Sequence, residues 1–482
     1  MRRKKMIFSI WEVLFAGVLC LVFLIALTGT QFNIAWYKVG FVTVIWLLCL
    51  TLLFVMLKKV ESWLERYGKI LFPLFCGIWA AALYAFSCFA RNQPASDFAM
   101  VYEGALNYAR GTEVYWPYFA LWKNNYPLLL LLTSLIRLSD LLGFADPFYL
   151  ILCLSVAMVI WSGICVFRLV GYAGKSTACQ WMGILLFAGF LPCWGGTQNF
   201  YTDTMSLCFG IWACLLCQKA FEKAGGYGLA AGVVWGMGCS IKATVAISMV
   251  AVFLIVMMTM QWKQWLRLLL PVGAGFLLIL GGGTVLWDQS PCAELEEERT
   301  APLEFWLALG SVNNGSYREN REFASVCEAA SGKEAKREIA RSYIQENRKE
   351  LFSLPRLISK TRCNFASGFF GLPDFQRSPG SFAYELFNDY GKYGGYVAML
   401  ATGYFYALLI FGILSGILGF RNLIRGGSPE WMILMTQLTI FGLMLFLMIW
   451  EANNRQLYNH MPWLALMGVF GISETLEGRT RK

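Results

Sequence analysis

The sequence predicts an all-α polytopic membrane protein with about 12 transmembrane helices, a juxtamembrane helix in its first loop and a small, mostly helical external domain. Three observations carry this. Of the 482 residues, 57% are hydrophobic and 15% charged, whereas soluble domains have roughly 45–50% and 25%. Apolar runs of the roughly 17–25 residues needed to cross a bilayer recur from Met6 to Ile472. The basic excess, 40 Lys/Arg against 30 Asp/Glu, sits in short linkers beside those runs, because residues 288–395 hold 14 against 16 and leave 26 against 14 elsewhere. That placement follows the positive-inside rule, so composition excludes a soluble enzyme and gives no reason to expect nucleic acid as a partner.

Element by element, Arg2 to Lys5 precede a run, Met6 to Thr28, that is too long for a signal h-region and has no small-residue cleavage site. It is expected to be the first transmembrane helix. Candidate spans are 6–29, 39–57, 69–90, 127–143, 147–167, 177–194, 203–218, 226–241, 243–260, 266–287, 396–419, 430–450 and 457–473. The segment 127–143 starts at Pro127 and carries Arg137 and Asp140, so it is expected to lie at the interface or re-enter. With it removed, the basic linkers fall on one side: Lys58, Lys59, Arg66 and Lys69; Arg168 and Lys175; Lys219 and Lys223; Lys263 and Arg267; Arg421 and Arg425; and the tail Arg479, Arg481 and Lys482. Both termini are then cytoplasmic in the cell membrane, and the first loop 91–126, the connection 195–202 and the segment 288–395 are outside. The organisation is a membrane core over 1–287, an external segment over 288–395 and C-terminal membrane helices over 396–482. Within the external segment, Glu294 to Glu298 reads as a solvated helix face and Cys327 to Leu351 has helical spacing.

The fifteen cysteines are scattered singly, and His460 is the one histidine, which leaves a Cys/His zinc site almost without ligands. Most read as small packing residues. Cys292, Cys327 and Cys363 lie in the external segment, where an odd count permits one disulfide at most.

In the first loop, apolar residues at 98, 101, 102, 105, 106 and 109 describe an amphipathic helix along the membrane surface, with Asp97 in its first turn. Asp97 is either a cap that satisfies an orphan N–H or a carboxylate held at the surface as a general base; Glu103 and Glu113 are the other acids available. Lys242, between two short apolar helices, is a snorkelling helix end or an anion contact. Arg455 either pairs with Glu451 one turn earlier or meets the same anion. Asp203 is a natural N-cap, His460 a structural loop histidine or a further anion contact, and Tyr115, Trp116, Tyr118 and Trp122 an interfacial belt or a sugar-stacking platform.

The pattern Asp97-Phe98, Tyr102, Ala105, Gly111, Tyr115 and Tyr126-Pro127-Leu128 after an early transmembrane helix resembles the first external loop of the GT-C membrane glycosyltransferases, relatives of protein O-mannosyltransferases and of the aminoarabinose transferases that modify lipid A. Tyr201-Thr202-Asp203 starting a helix, Gly236 to Lys242-Ala243-Thr244, and Arg455 to Pro462 before the last helix fit in order. Pro302 to Gly310, then Gly315 and Tyr317, resembles a stretch in Gram-positive members with an inserted outer domain. Mannosyltransferases of the family pair two acids where this chain has Asp97-Phe98, which separates it from that subfamily's pattern.

The resemblance implies a polyprenyl-phosphate-linked sugar as donor, inversion on transfer and Asp97 as catalytic base. It implies Lys242, Arg455 and His460 at the donor phosphate, and Glu103, Tyr126, Tyr201 and Asp203 in substrate binding. The acceptor is an envelope glycan, lipid or protein. A polyprenyl-phosphate sugar synthase and a flippase are expected beside the membrane lipids as partners. No DxD lies outside, so metal-independent chemistry without a further cofactor is expected. A secondary transporter and a polysaccharide polymerase or ligase are the alternatives.

Overall fold

The computed structural model describes residues 2–29, 34–222, 226–375 and 378–477; Lys223 and the basic tail of the predicted topology lie outside them. Among the described residues the secondary structure is helical throughout, with no strand. Seven helices are long and apolar enough to cross a membrane: Lys5–Leu27, Trp36–Lys59, Glu61–Phe89, Phe148–Tyr172, Trp262–Asp288, Gly394–Ile424 and Trp431–Ile449. Shorter helices occupy the other five expected spans: Thr177–Ala188, Phe209–Glu222, Tyr227–Ile241, Ala246–Thr259 and Met461–Glu477. The polytopic class is borne out.

The surface of the long helices is inverted relative to a soluble protein. Phe41, Leu52, Ile70 and Leu277 are each more than 60% exposed, as expected where lipid rather than water surrounds the bundle. Inside, the helices meet through small residues, which let backbones approach when no hydrophobic force drives association. A Cβ on Gly232 would strike the Val272 carbonyl, and one on Gly275 the Leu229 carbonyl, so Tyr227–Ile241 and Trp262–Asp288 lie backbone to backbone.

The first loop folds as expected into Ser96–Arg110, ended by Gly111 in the left-handed region (φ 71°). Tyr126–Leu141, 16 residues long, packs on it. The segment 288–395 forms short helices around Phe305, Leu309, Phe323, Ala324, Cys327 and Ala340; the helical spacing after Cys327 becomes Lys333–Glu346. Two local expectations change. Glu296 is not a solvated face: it pairs with Lys123 at 3.0 Å and accepts from Trp287 Nε1 at 2.5 Å, tying this segment to the first loop. Cys292, Cys327 and Cys363 are all free thiols, each against a different backbone carbonyl, Trp116, Lys336 and Ala452.

Candidate functional site

Three breaks in the helical pattern place three charged side chains together. Residues 201–208 run as turns, and the helix expected from Tyr201 begins only at Phe209. The cause is local competition by short polar side chains for backbone groups: Thr204 Oγ1 donates to the Gly196 carbonyl at 3.2 Å and Ser206 Oγ to that of Asp203 at 3.3 Å. Asp203 is therefore no N-cap but a buried carboxylate, 2% exposed. Lys242 ends Tyr227–Ile241 in an extended conformation (φ −150°, ψ 113°). Arg455 lies on the 3-10 turn Asn454–His460, whose first N–H is capped by Asn453.

Lys242 Nζ donates to Asp203 Oδ1 in an ion pair, and Arg455 Nε stands 3.1 Å from Asp203 Oδ2. The snorkelling reading of Lys242 fails, since the ammonium is buried and paired, and Arg455 pairs with Asp203 rather than with Glu451. The guanidinium lies 5.1 Å from the Tyr201 ring and 5.5 Å from that of Phe375, two rings whose own centroids are 6.1 Å apart, a cation–π setting. Its stem passes Gly371, which sits at φ +77° and where a Cβ would meet the Arg455 Cβ; glycine is required there on both counts. Burial pulls the Arg455 pKa down, but Asp203 and the neighbouring Tyr201, Asp374 and Asp97 raise it beyond its ordinary value. Glu451, 8% exposed, is pushed up to about 7 by burial against the pull of Arg455 and Lys242. With Glu451 protonated, Asp203, Lys242 and Arg455 carry one net positive charge in a buried place, which is costly unless an anion meets it.

Asp97 lies within electrostatic reach of this group, its charge acting on Arg455 and Glu451. It lies inside the first turn of its helix, while the N-cap position belongs to Ala95 and has no side-chain bond. Its Oδ1 accepts from Tyr118 Oη at 3.1 Å, and Asn125 Nδ2 donates to the same phenol at 2.8 Å. Burial, with the Asp97 charge beside it, holds the Tyr118 pKa far above the usual phenol value, so the phenol remains a donor. Ser96, just before, is held at φ 51°, strain of roughly 1–3 kcal/mol of the kind that collects at functional sites. The segment 288–395 adds Tyr317, which donates to Glu328 Oε1 at 2.7 Å; both feel the Asp97 charge, and burial first raises the Glu328 pKa. Asp97 itself is half-buried.

Of the other residues singled out by sequence, Tyr201 joins the site. His460 lies beneath it, its Nδ1 2.8 Å from Asn459 Oδ1 and 3.2 Å from the Gln456 carbonyl, which is a packing role beside the charged group. Tyr126 is not brought in: its phenol donates to the Leu286 carbonyl at 3.3 Å and its ring meets Trp287 edge-on. Glu103 and Glu113 are exposed. Arg91, a further basic residue at the start of the first loop, is engaged elsewhere, 2.5 Å from Asp146. Sequence reasoning missed Asn125 and Glu328, noted Tyr317 only within the resemblance, and read Tyr118 as part of an interfacial belt or a sugar-stacking platform. About two turns along Tyr227–Ile241 from Lys242, an apolar cleft of about 230 Å³ is lined by Trp235, Met249, Val250, Phe253 and Phe276; Val250 and Phe253 are on the exposed, lipid-facing side.

Residues 125–287, a third of the chain, match the family described as dolichyl-phosphate-mannose-protein mannosyltransferase. The match bears out the resemblance to GT-C membrane glycosyltransferases. The structure of ArnT from Cupriavidus metallidurans bound to undecaprenyl phosphate is similar over 85% of this chain and 78% of that one, at 13% identity and a TM-score of 0.32, a likeness too slight to carry weight. No curated protein matches significantly.

Proposed function

We propose that this chain is an inverting membrane glycosyltransferase that moves a sugar from a polyprenyl-phosphate-linked donor to an acceptor hydroxyl at the outer face of the membrane. The observation that carries the reading is the ion-paired group of the buried Asp203 with the part-buried Lys242 and Arg455, two cations to one carboxylate, within electrostatic reach of the half-buried carboxylate of Asp97. The matched family's description names a polyprenyl-phosphate sugar as donor. The apolar cleft along Tyr227–Ile241 offers its chain a lipid-facing bed.

In this mechanism the donor phosphate lies against Arg455 and Lys242, which stabilise charge as the bond from anomeric carbon to phosphate oxygen breaks and the phosphate keeps the electron pair. The acceptor oxygen attacks from the opposite side and gives its proton to Asp97, whose free oxygen is positioned by Tyr118 holding the other. Asp203 keeps the two cations in place and screens one of them. Lys242 and Arg455 supply the positive charge that a divalent ion would, so the chemistry runs without metal. The acceptor enters between the first loop and the Tyr317–Glu328 pair. The charges gather at helix ends and not at mid-helix, which favours a transferase over a transporter.

Asp97→Asn tests the reading. Because Asp97 caps nothing, the amide keeps the fold and the Tyr118 contact but accepts no proton. Turnover with purified protein and lipid-linked donor should fall by roughly 10²–10⁴-fold while polyprenyl phosphate still binds; near-normal turnover overturns the assignment.

A further inference from the structure

The helix Leu354–Phe365 presents Arg356, Lys360 and Asn364 on one face at i, i+4 spacing, and all three are buried. Arg356 donates to the Gly310 and Leu351 carbonyls. Lys360 Nζ donates to the Gly310 carbonyl at 2.7 Å and to the Trp450 carbonyl at 2.5 Å. Asn364 Nδ2 donates to the Leu447 carbonyl at 3.3 Å, and its own carbonyl accepts from Asn454 at 2.6 Å. Ala452 N donates to the Gly315 carbonyl at 2.7 Å. The segment 450–454, which follows the helix Trp431–Ile449, is thus held from outside by this helix and by the Gly315 carbonyl, immediately before Arg455.

We infer that Lys360 is a positioning residue for the anion site: by bridging the Gly310 and Trp450 carbonyls it fixes the backbone from which Glu451 and Arg455 reach Asp203 and Lys242. The inference rests on the proposed donor-phosphate role of that group. A lysine is an expensive choice for a bridge. Its side chain is fully buried, and no carboxylate lies in ion-pair range among the described residues. Burial, then Arg356, pull its pKa down to about 7 against Cys363 and Glu451. An ammonium with three donors is what two converging carbonyls from different segments require, and neither an apolar residue nor the wider fork of arginine makes the same bridge. The segment 288–395 is therefore part of the site rather than a cover over it.

The test measures the Kd of the full chain in detergent for a polyprenyl phosphate. Lys360→Met should stay monodisperse and weaken binding by ~tenfold, within the range for coupled neighbours, whereas Arg341→Met, which breaks an ion pair internal to the segment (Arg341–Glu304, 2.9 Å), should leave Kd unchanged. In an Arg455→Ala background the further effect of Lys360→Met should shrink below ~threefold; an undiminished effect there, or an unchanged Kd in Lys360→Met alone, overturns the inference. If Lys360→Met does not fold, Lys360→Arg carries the test, with a Kd raised by ~threefold or more expected and an unaltered one counting against it. Wild-type protein that binds no polyprenyl phosphate sinks the proposed function itself, which keeps the two failures apart.

Discussion

Glu451 sets how strongly the site attracts an anion. Its folded pKa, about 7, lies above the ordinary carboxylate value of about 4.3, so between these the folded protein binds a proton that a solvated carboxylate would release. As pH rises through about 7, Glu451 ionises, the net charge of Asp203, Lys242, Arg455 and Glu451 falls from +1 to 0, and anion affinity should drop. A phosphodiester donor has no proton to lose in that range, whereas a phosphate monoester gains charge near pH 6 and masks the effect. Titrating donor affinity from pH 6 to 8 should show the fall in wild type and a flat curve in Glu451→Gln; parallel curves would mean that Glu451 does not titrate there. Gly371 gives a second residue-scale outcome. Gly371→Ala is strained at φ +77° and drives a methyl into the Arg455 stem, so it should weaken donor binding by ~tenfold or more, a loss of about 1.4 kcal/mol, as read by the same titration.

At the scale of elements, the helices and the break at Lys242 were legible, and the break at 201–208 was not. Hydropathy placed the twelve expected spans, since an apolar run in a membrane protein has few other fates. Residues 201–208 look like the start of a helix because Asp and Thr favour N-caps; they form turns because Thr204 and Ser206 bond nearby backbone carbonyls, and Asp203 is taken up by Lys242 and Arg455, far away in sequence. Asp97 was legible as a candidate since it opens an amphipathic helix, yet its Tyr118 partner was not, because an aromatic in a surface loop looks the same whether it faces lipid or a carboxylate. Polar residues inside spans carry a testable consequence of their own. Trp11 Nε1 donates to Gln437 Oε1 at 2.9 Å, and Gln437 Nε2 to Glu12 Oε2 at 2.8 Å, joining Arg2–Leu27 to Trp431–Ile449. Gln437→Leu strands both partners, at a cost of roughly 1–3 kcal/mol for buried polar groups left unpaired, and should lower the melting temperature in detergent, whereas Glu12→Gln keeps a partner for Gln437 and should be nearly neutral. Equal melting temperatures for wild type and Gln437→Leu would show that the contact contributes nothing.

The whole molecule has two chemically distinct ends, and its orientation follows from them. At one end the linkers between spans are laced together: Lys58 pairs with Glu61 at 2.7 Å and Glu477 at 2.9 Å, and Lys175 with Glu430 at 3.1 Å. These are the basic linkers whose common side the sequence required, and the structure brings three of them and the end of the last helix into contact. At the other end lie Asp97, Asp203, Lys242, Arg455 and the segment 288–395. The positive-inside rule assigns the laced end to the cytoplasm, and on that ground we propose that Asp97 and the acceptor lie outside. Native thiols make poor reporters of this, because Cys292 and Cys327 are fully buried. Exposed positions serve instead: Glu346→Cys on Lys333–Glu346, and Lys263→Cys in the first turn of the helix Trp262–Asp288. In intact cells with a permeable outer envelope, a membrane-impermeant maleimide should label Glu346→Cys above the wild-type background and label Lys263→Cys only after lysis. The reverse pattern would place Asp97 in the cytoplasm, where the donor's sugar would have to be presented on the other leaflet, and the outer-face reaction would fall with the topology.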